Sequence, residues 1–204
     1  GWGENGSGQL GISNTEDQKL PVKTTLTNIK QISTSYYHTI ALTEDGKAYV
    51  AGRNNEGELG IGQTTSSTIT TWTIMKSTNG TSEMTGIKQV ATGYMHTVVL
   101  TDNGYMYATG NNGYYQLSDG SSTQRKNLVY MKDSSNNTMK DVKEIYAAGN
   151  TSVAITNSNG IYVVGENSYA QLLQGNTSTV TRFTKVKNSE NIDKIVMTTT
   201  TGSQ

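Results

Sequence analysis

Residues 29–52 read IKQISTSYYHTIALTEDGKAYVAG, and the pattern returns at residues 87–110 as IKQVATGYMHTVVLTDNGYMYATG. It returns again at 142–165 as VKEIYAAGNTSVAITNSNGIYVVG, and Ile192 opens a further copy with IDKIVMTTTT. A second motif follows each return strand: GENGSGQLG from Gly3, GRNNEGELG from Gly52, GNNGYYQLS from Gly110 and GENSYAQLL from Gly165. These glycine anchors lie 49, 58 and 55 residues apart. Two motifs in fixed order at a near-constant period mean that one unit is being stacked. The differences in length fall in surface loops, where insertions cost little.

Inside the unit the apolar periods are short. Ile29 and Ile32 open a brief strand, and His38 to Thr43 reads as a strand buried on both faces. Glu44-Asp45-Gly46 is a hairpin turn, with Asn103-Gly104 and Asn159-Gly160 in the same role, because Gly accepts the positive φ of a tight reversal. Return strands follow at 47–51, 105–109 and 161–164. The segment between motifs adds apolar residues for another strand: Val22, then Trp72 and Ile74, then Leu128 and Val129, then Phe183 and Val186. About four short strands in a unit of roughly 50 residues is the arithmetic of a propeller blade. No stretch holds a helical period with caps. The expected fold is all-β, built of four-stranded antiparallel blades.

The glycine loop has its own chemistry. Gly3, Gly52, Gly110 and Gly165 permit backbone that a Cβ would forbid. Asn5, Asn54, Asn112 and Asn167 can hydrogen-bond the backbone and hold the turn. Leu10, Leu59, Leu117 and Leu172 then point into the contact between blades. No helix follows the loop, so it makes no phosphate cradle.

Composition narrows the function. The 204 residues carry 16 basic and 16 acidic side chains, with only 33% hydrophobic residues. No basic stripe appears, so nucleic acid is not an expected partner. Cysteine is absent, which excludes disulfides and thiolate metal sites. No apolar run reaches the length of a membrane span, and no signal-like segment opens the sequence. A Cys-free chain rich in Thr, Asn, Ser and Gly suits a bacterial secreted or cell-surface protein, and that location is the expectation here.

These residues resemble the regulator of chromosome condensation repeat family. Gly93, His96, Thr97, Leu100, Gly104, Gly110, Asn112, Gln116 and Leu117 fit its pattern in one repeat. The resemblance covers essentially the whole chain. It implies a seven-bladed β-propeller when complete, whose face binds another protein, and members that include exchange factors for small GTPases. Fold alone does not choose among such functions. The repeats read as 1–51, 52–109, 110–164 and an incomplete 165–204, about half of a seven-bladed ring. The half-ring is expected to belong to a longer protein, with self-association through open blade edges as a second possibility. The motifs fade towards the end: Thr151 replaces His38 and His96, while Ser118 and Leu173 replace Gly11 and Gly60.

His38 and His96 are the only histidines, at equivalent positions. A pair of histidines could bind zinc or move protons. They belong to different blades with no recurring carboxylate beside them, and the family position is a packing residue, so a structural role is expected. Gly93 and Gly149 supply small residues ahead of that strand, and Gly46, Gly104 and Gly160 serve the turns. Asp45 and Asp102 are explained by turn chemistry. No nucleophile–base pair or paired carboxylates stand out, so no catalytic site, metal or cofactor is expected. Tyrosine is the richer signal, with 12 Tyr against 1 Phe. Tyr36, Tyr37, Tyr94 and Met95 precede the histidine strand, while Tyr114, Tyr115 and Tyr169 sit in the glycine loop. Tyrosine gives large contact area at small rotamer cost and is enriched in binding surfaces. Packing against neighbouring blades is the plainer role. The expected function is a non-catalytic protein-interaction scaffold using these tyrosines as an arc. Carbohydrate binding by exposed rings and GTPase exchange are the alternatives.

Overall fold

The computed structural model describes residues 1–187 and Ile195. Strands β1 (Ile29–Thr34), β2 (His38–Thr43), β3 (Ala48–Asn54) and β4 (Thr65–Ile74) form the first sheet in that order. The second sheet is β5 (Ile87–Thr92), β6 (His96–Thr101), β7 (Met106–Gly110) and β8 (Arg125–Tyr130). The third is β9 (Val142–Ala148), β10 (Thr151–Thr156), β11 (Ile161–Gly165) and β12 (Val180–Lys185). Neighbouring strands are antiparallel throughout these sheets. β1 packs along β5 and β5 along β9, so these three line the inner edge of the arc, with β4, β8 and β12 outermost. The four-stranded blades expected from the sequence are present, and no helix occurs among the described residues. Apart from Ile195, which packs against the third sheet, the copy opened by Ile192 lies outside the described residues.

Sequence repeat and sheet are out of phase. A repeat counted from Gly52 holds the outer strand of one sheet and the three inner strands of the next. The chain thereby threads each repeat through two blades, as the stacking demands.

The core lies between sheets rather than within one. Ile40, Leu42, Val50 and Leu59 from the first blade meet Val90, Val99 and Leu128 from the second. Val98, Leu100, Met106 and Leu117 meet Ile145, Ala154 and Phe183 of the third in the same way. β2 and β6 are covered on both faces, so all six residues of each are buried. Leu59 and Leu117 are buried in the clusters between sheets, and Leu172 is buried in the cluster of the third sheet. Leu10 is half-buried. At the first inner strand Ile32 is 59% exposed, whereas Val90 and Ile145 in its register are 1% and 0% exposed. The outward face of the first blade is therefore open in this chain. Leu117→Ala would open a cavity at the second junction and is expected to cost about 2–5 kcal/mol in urea unfolding. A loss below ~1 kcal/mol would show that Leu117 is not a plug.

The hairpin turns need one correction. Gly46 and Gly104 carry φ of 75° and 78°, and the Gly46 N–H donates to the Thr43 carbonyl at 3.0 Å. In the third blade Asn159, with φ of 61°, takes that place, and its N–H donates to the Thr156 carbonyl at 2.9 Å. Gly160 lies one residue further on. The strand register fixes the turn position, and Asn tolerates the left-handed region well enough to fill it.

Candidate functional site

Turns after β1, β5 and β9 and loops after β3, β7 and β11 emerge at the same end of the arc, since strand direction alternates. The loops are held by one buried asparagine each. Oδ1 of Asn5, Asn54, Asn112 and Asn167 accepts the N–H of Leu10, Leu59, Leu117 and Leu172 at 2.9–3.2 Å. Their Nδ2 groups donate to the carbonyls of Asn14, Gln63, Ser121 and Asn176 at 2.7–3.0 Å. A single side chain thus satisfies at least one backbone N–H and one backbone carbonyl inside each loop. Where glycine is lost the backbone persists: Ser118 and Leu173 keep φ of 49° and 55°.

Each loop starts against the turn of its own blade. Arg53 N–H donates to the Tyr37 carbonyl, Asn111 N–H to Met95 and Glu166 N–H to Asn150, at 2.8–3.1 Å. This close approach brings Arg53 beside the turn tyrosines. Its guanidinium lies 5.2 Å from the Tyr37 ring centre, within cation–π range. Arg53 Nη1 also approaches Met95 Sδ at 3.4 Å, across the blade boundary. Glu56 and Glu58 flank it at 3.7 and 3.8 Å. Burial pushes the Glu58 carboxyl above the usual carboxylate range, although backbone N–H groups and Arg53 pull the other way.

Three of the expected tyrosines form one cluster. Ring centres are 4.6 Å apart for Tyr36 and Tyr37, 5.5 Å for Tyr37 and Tyr94, and 6.3 Å for Tyr36 and Tyr94. Tyr94 Oη donates to Tyr37 Oη at 3.4 Å, and Tyr36 remains 47% exposed. Met95 sits half-buried beside them. Tyr114, Tyr115 and Tyr169 are at this end but make no ring contact with the cluster among the described residues. The arc stops because Gly149 and Asn150 occupy the register of Tyr36 and Tyr37. Gly149 is therefore not the counterpart of Gly93, whose register in the third blade belongs to Ala148. Arg53 escaped the sequence reading. Its only signal was a cation where the other loops carry Glu4, Asn111 and Glu166, opposite Glu58 where they carry glutamine.

The histidines tie blades together. Thr97 Oγ1 donates to the Glu58 carbonyl at 2.7 Å, so it accepts from His38 Nε2 at 3.0 Å. Ser152 Oγ donates to the Gln116 carbonyl at 2.9 Å and accepts from His96 Nε2 at 3.0 Å. Both rings are neutral with the proton on Nε2. Ser35 Oγ meets His38 Nδ1 at 2.8 Å, while Gly93 offers His96 Nδ1 nothing, and that atom has no hydrogen-bond partner. Burial lowers the His38 pKa to about 3, with His96 adding to the effect, and lowers that of His96 to about 4. These are packing groups poised against charge, not acid–base catalysts at neutral pH. Thr151, in the same register, turns its Oγ1 back within its own blade to the Ala148 carbonyl at the end of β9. No group of three His, Cys, Asp or Glu able to hold a metal occurs among the described residues.

Family models for the regulator of chromosome condensation (RCC1) repeat match residues 1–42 and 45–100, and again 29–58 and 87–116. The chain belongs to the RCC1 repeat family. It is 30% identical over 178 residues to the ultraviolet-B receptor UVR8 of Arabidopsis thaliana, covering 86% of this chain and 38% of that protein. It is 36% identical over 120 residues to the secretion-regulating guanine nucleotide exchange factor of Bos taurus, covering 57% of this chain and 25% of the relative. The crystal structure of Prp20p from Saccharomyces cerevisiae, described with its binding properties to Gsp1p and histones, superposes with a TM-score of 0.74 at 22% identity. That match covers 92% of this RCC1 repeat chain and 45% of Prp20p, and it shows the propeller fold. The chain thus spans less than half the length of each of these three proteins.

Proposed function

We propose that this RCC1 repeat array is a non-catalytic scaffold that binds another protein through its tyrosine end. The observation that carries this reading is the Tyr36–Tyr37–Tyr94 cluster. Its rings are packed against one another and against Arg53 before any partner arrives, yet Tyr36 stays open to solvent. Rings already held in place lose little entropy on binding, which favours anchor residues of this kind. Carbohydrate stacking is less well served, because Arg53 covers the Tyr37 face and the three rings are mutually tilted. The exchange-factor relative and Prp20p favour a small GTPase as one partner to examine. The bacterial surface location expected from composition gains no support from relatives of plant, mammalian and yeast origin.

A photo-crosslinking phenylalanine analogue placed at position 94 in the full chain is expected to give a discrete protein adduct in host extract. The same probe at Tyr105, in a turn at the opposite end, should give none. Equal adducts at the two ends would remove the tyrosine face from consideration.

A further inference from the structure

We propose that Glu58 and Arg53 are the positioning pair of the tyrosine site: the buried carboxylate holds the guanidinium against the rings, and the guanidinium keeps the rings set for a partner. This rests on the protein-binding reading above and names the residues that keep that surface ready. The first observation comes from laying the four glycine loops over one another. One position carries Gln9, Glu58, Gln116 and Gln171, and the position five residues earlier carries Glu4, Arg53, Asn111 and Glu166. One oxygen does the same work in all four. Oε1 of Gln9, Gln116 and Gln171 accepts the N–H of Ser7, Tyr114 and Tyr169 at 2.9 Å, and Glu58 Oε2 accepts that of Glu56 at 2.8 Å.

The second atom of the head group differs. Gln116 Nε2 donates to Asn111 Oδ1 at 3.0 Å, and Glu4 and Glu166 put acceptor types in the register of Asn111 in the other two glutamine loops. Glu58 instead presents Oε1, and Arg53 presents donors to it. Donor and acceptor have changed places together, in the one loop that starts on the Tyr37 carbonyl. A charge meant only for solvent would not need its partner reversed as well.

The second observation is burial. The Glu58 side chain is fully buried, and its Oε1 has no hydrogen-bond partner. Arg53 Nε, at 3.8 Å, is the cation that compensates it among the described residues. A buried carboxylate without compensation is costly, so the guanidinium is kept where it is. From there Nη2 lies 3.7 Å from Glu56, Nη1 lies 3.4 Å from Met95 Sδ, and the central carbon stands 5.2 Å from the Tyr37 ring centre. Neither ion-pair distance is a hydrogen bond, so two carboxylates and a ring place Arg53 together. Tyr37 passes the placement on, because its ring lies against those of Tyr36 and Tyr94 and its hydroxyl accepts from Tyr94. The second blade meets Glu58 through uncharged groups, the Thr97 hydroxyl on its carbonyl and the Gly110 backbone. Taking the charge from Glu58 therefore releases Arg53 towards Glu56 and away from the ring.

Two samples of the full chain carry the test: one with a ring-fluorinated tyrosine at position 37, read by its fluorine resonance, and one with the crosslinker at position 94. Glu58→Gln is expected to shift the resonance and to lower the position-94 adduct by about 5-fold. Arg53→Asn/Glu58→Gln rebuilds the amide pair of the next loop, so it should unfold in urea like the parent and still show both effects. Arg53→Lys keeps a cation for Glu58 and should fold, yet shift the resonance, because an ammonium has no flat face to lay on the ring. Gln171→Glu, in the loop of the third blade, should leave both readings at their parent values. The inference is overturned if the double variant unfolds like the parent and keeps both the resonance and the adduct, because the pair is then packing alone. It is also overturned if folded Glu58→Gln leaves the resonance unmoved, or moves it without lowering the adduct. Should Glu58→Gln not fold, an unmoved resonance in Arg53→Lys overturns it instead. An adduct that persists in every variant with an unmoved resonance refutes the pair and spares the tyrosine face. A parent that gives no adduct, but whose resonance shifts with Glu58→Gln, refutes the protein-binding reading and leaves the pair as the holder of the rings.

Discussion

Lowering the pH from 7.5 to 5 is expected to remove roughly 4 kcal/mol of folding stability through His38 and His96 alone. Both are neutral in the folded chain, with pKa values lowered to about 3 and about 4 from an ordinary 6.5. In the unfolded chain they take up protons as the pH drops through 6.5. The unfolded state then binds more protons than the folded one, and each histidine withdraws about 1.4 kcal/mol per pH unit until its folded pKa is reached. Their contribution is complete above pH 6.5 and is lost on acidification. Glu58 works in the opposite sense, because a carboxyl raised by burial takes its proton in the folded state first. Urea unfolding at pH 7.5, 6 and 5 measures the net slope. His38→Gln and His96→Gln keep an N–H donor near Nε2 and should each remove about half of the histidine part. If the double variant retains the parent's slope over this range, the two rings are not buried neutral groups.

Replacing Gly110 by alanine is expected to cost more than about 3 kcal/mol, and Gly149→Ala only about 1 kcal/mol. Both glycines have positive φ, at 105° and 52°. The value at Gly149 lies in the left-handed region that alanine can enter at modest strain. The value at Gly110 lies outside it. An added Cβ there would also stand 2.4 Å from the Met95 carbonyl oxygen and 2.8 Å from His96 Cα, whereas at Gly149 it would meet nothing within 4 Å. A Cβ added at Gly52 or Gly165 would likewise stand against the Tyr37 or Asn150 carbonyl oxygen. The glycine is what lets the loop start against the turn, so its loss should push Arg53-type neighbours away from the tyrosines. Paired urea curves for the two variants decide the matter, and equal losses would show that φ alone, not close approach, governs both sites.

The repeat made the strands legible. Ile29, His38 and Gly52 each recur with their neighbours, so the inner three strands could be placed from the sequence. The outer strand carried a sparser apolar signal, and β4 runs longer than Trp72 and Ile74 suggested. Asn5 and its counterparts could be read as turn-holding groups, and they are. Partners across the blades could not be read. His38 meets Thr97 over 59 residues and His96 meets Ser152 over 56, a relation that only the stacked geometry supplies. At Asn159-Gly160 and at Gly149 the local glycine does not mark the register, because the strands on either side set it. At the candidate site, Tyr36, Tyr37, Tyr94 and Met95 were found by their place before β2 and β6. Arg53 was missed because its role depends on a tyrosine 16 positions earlier in sequence and on a carboxylate in its own loop.

Several of the ties between blades point forward along the chain, while Thr97 and Ser152 reach back. Gln31 holds both backbone groups of Val90, through Nε2 at 2.8 Å and Oε1 at 3.1 Å, and Gln89 does the same for Ile145 at 2.8 and 3.0 Å. The ring nitrogen of His38 reaches ahead as well, and the loop after β7 lays the Ser118 hydroxyl against the Phe183 N–H of β12 at 2.9 Å. Every such closure spans roughly one repeat, so its loop entropy does not grow as blades are added. A blade leaving the ribosome first therefore carries the side chains that will capture the inner strand of the next. Synthesis from the N-terminus presents a template before its complement, and assembly can advance as a front whose cost per step is constant.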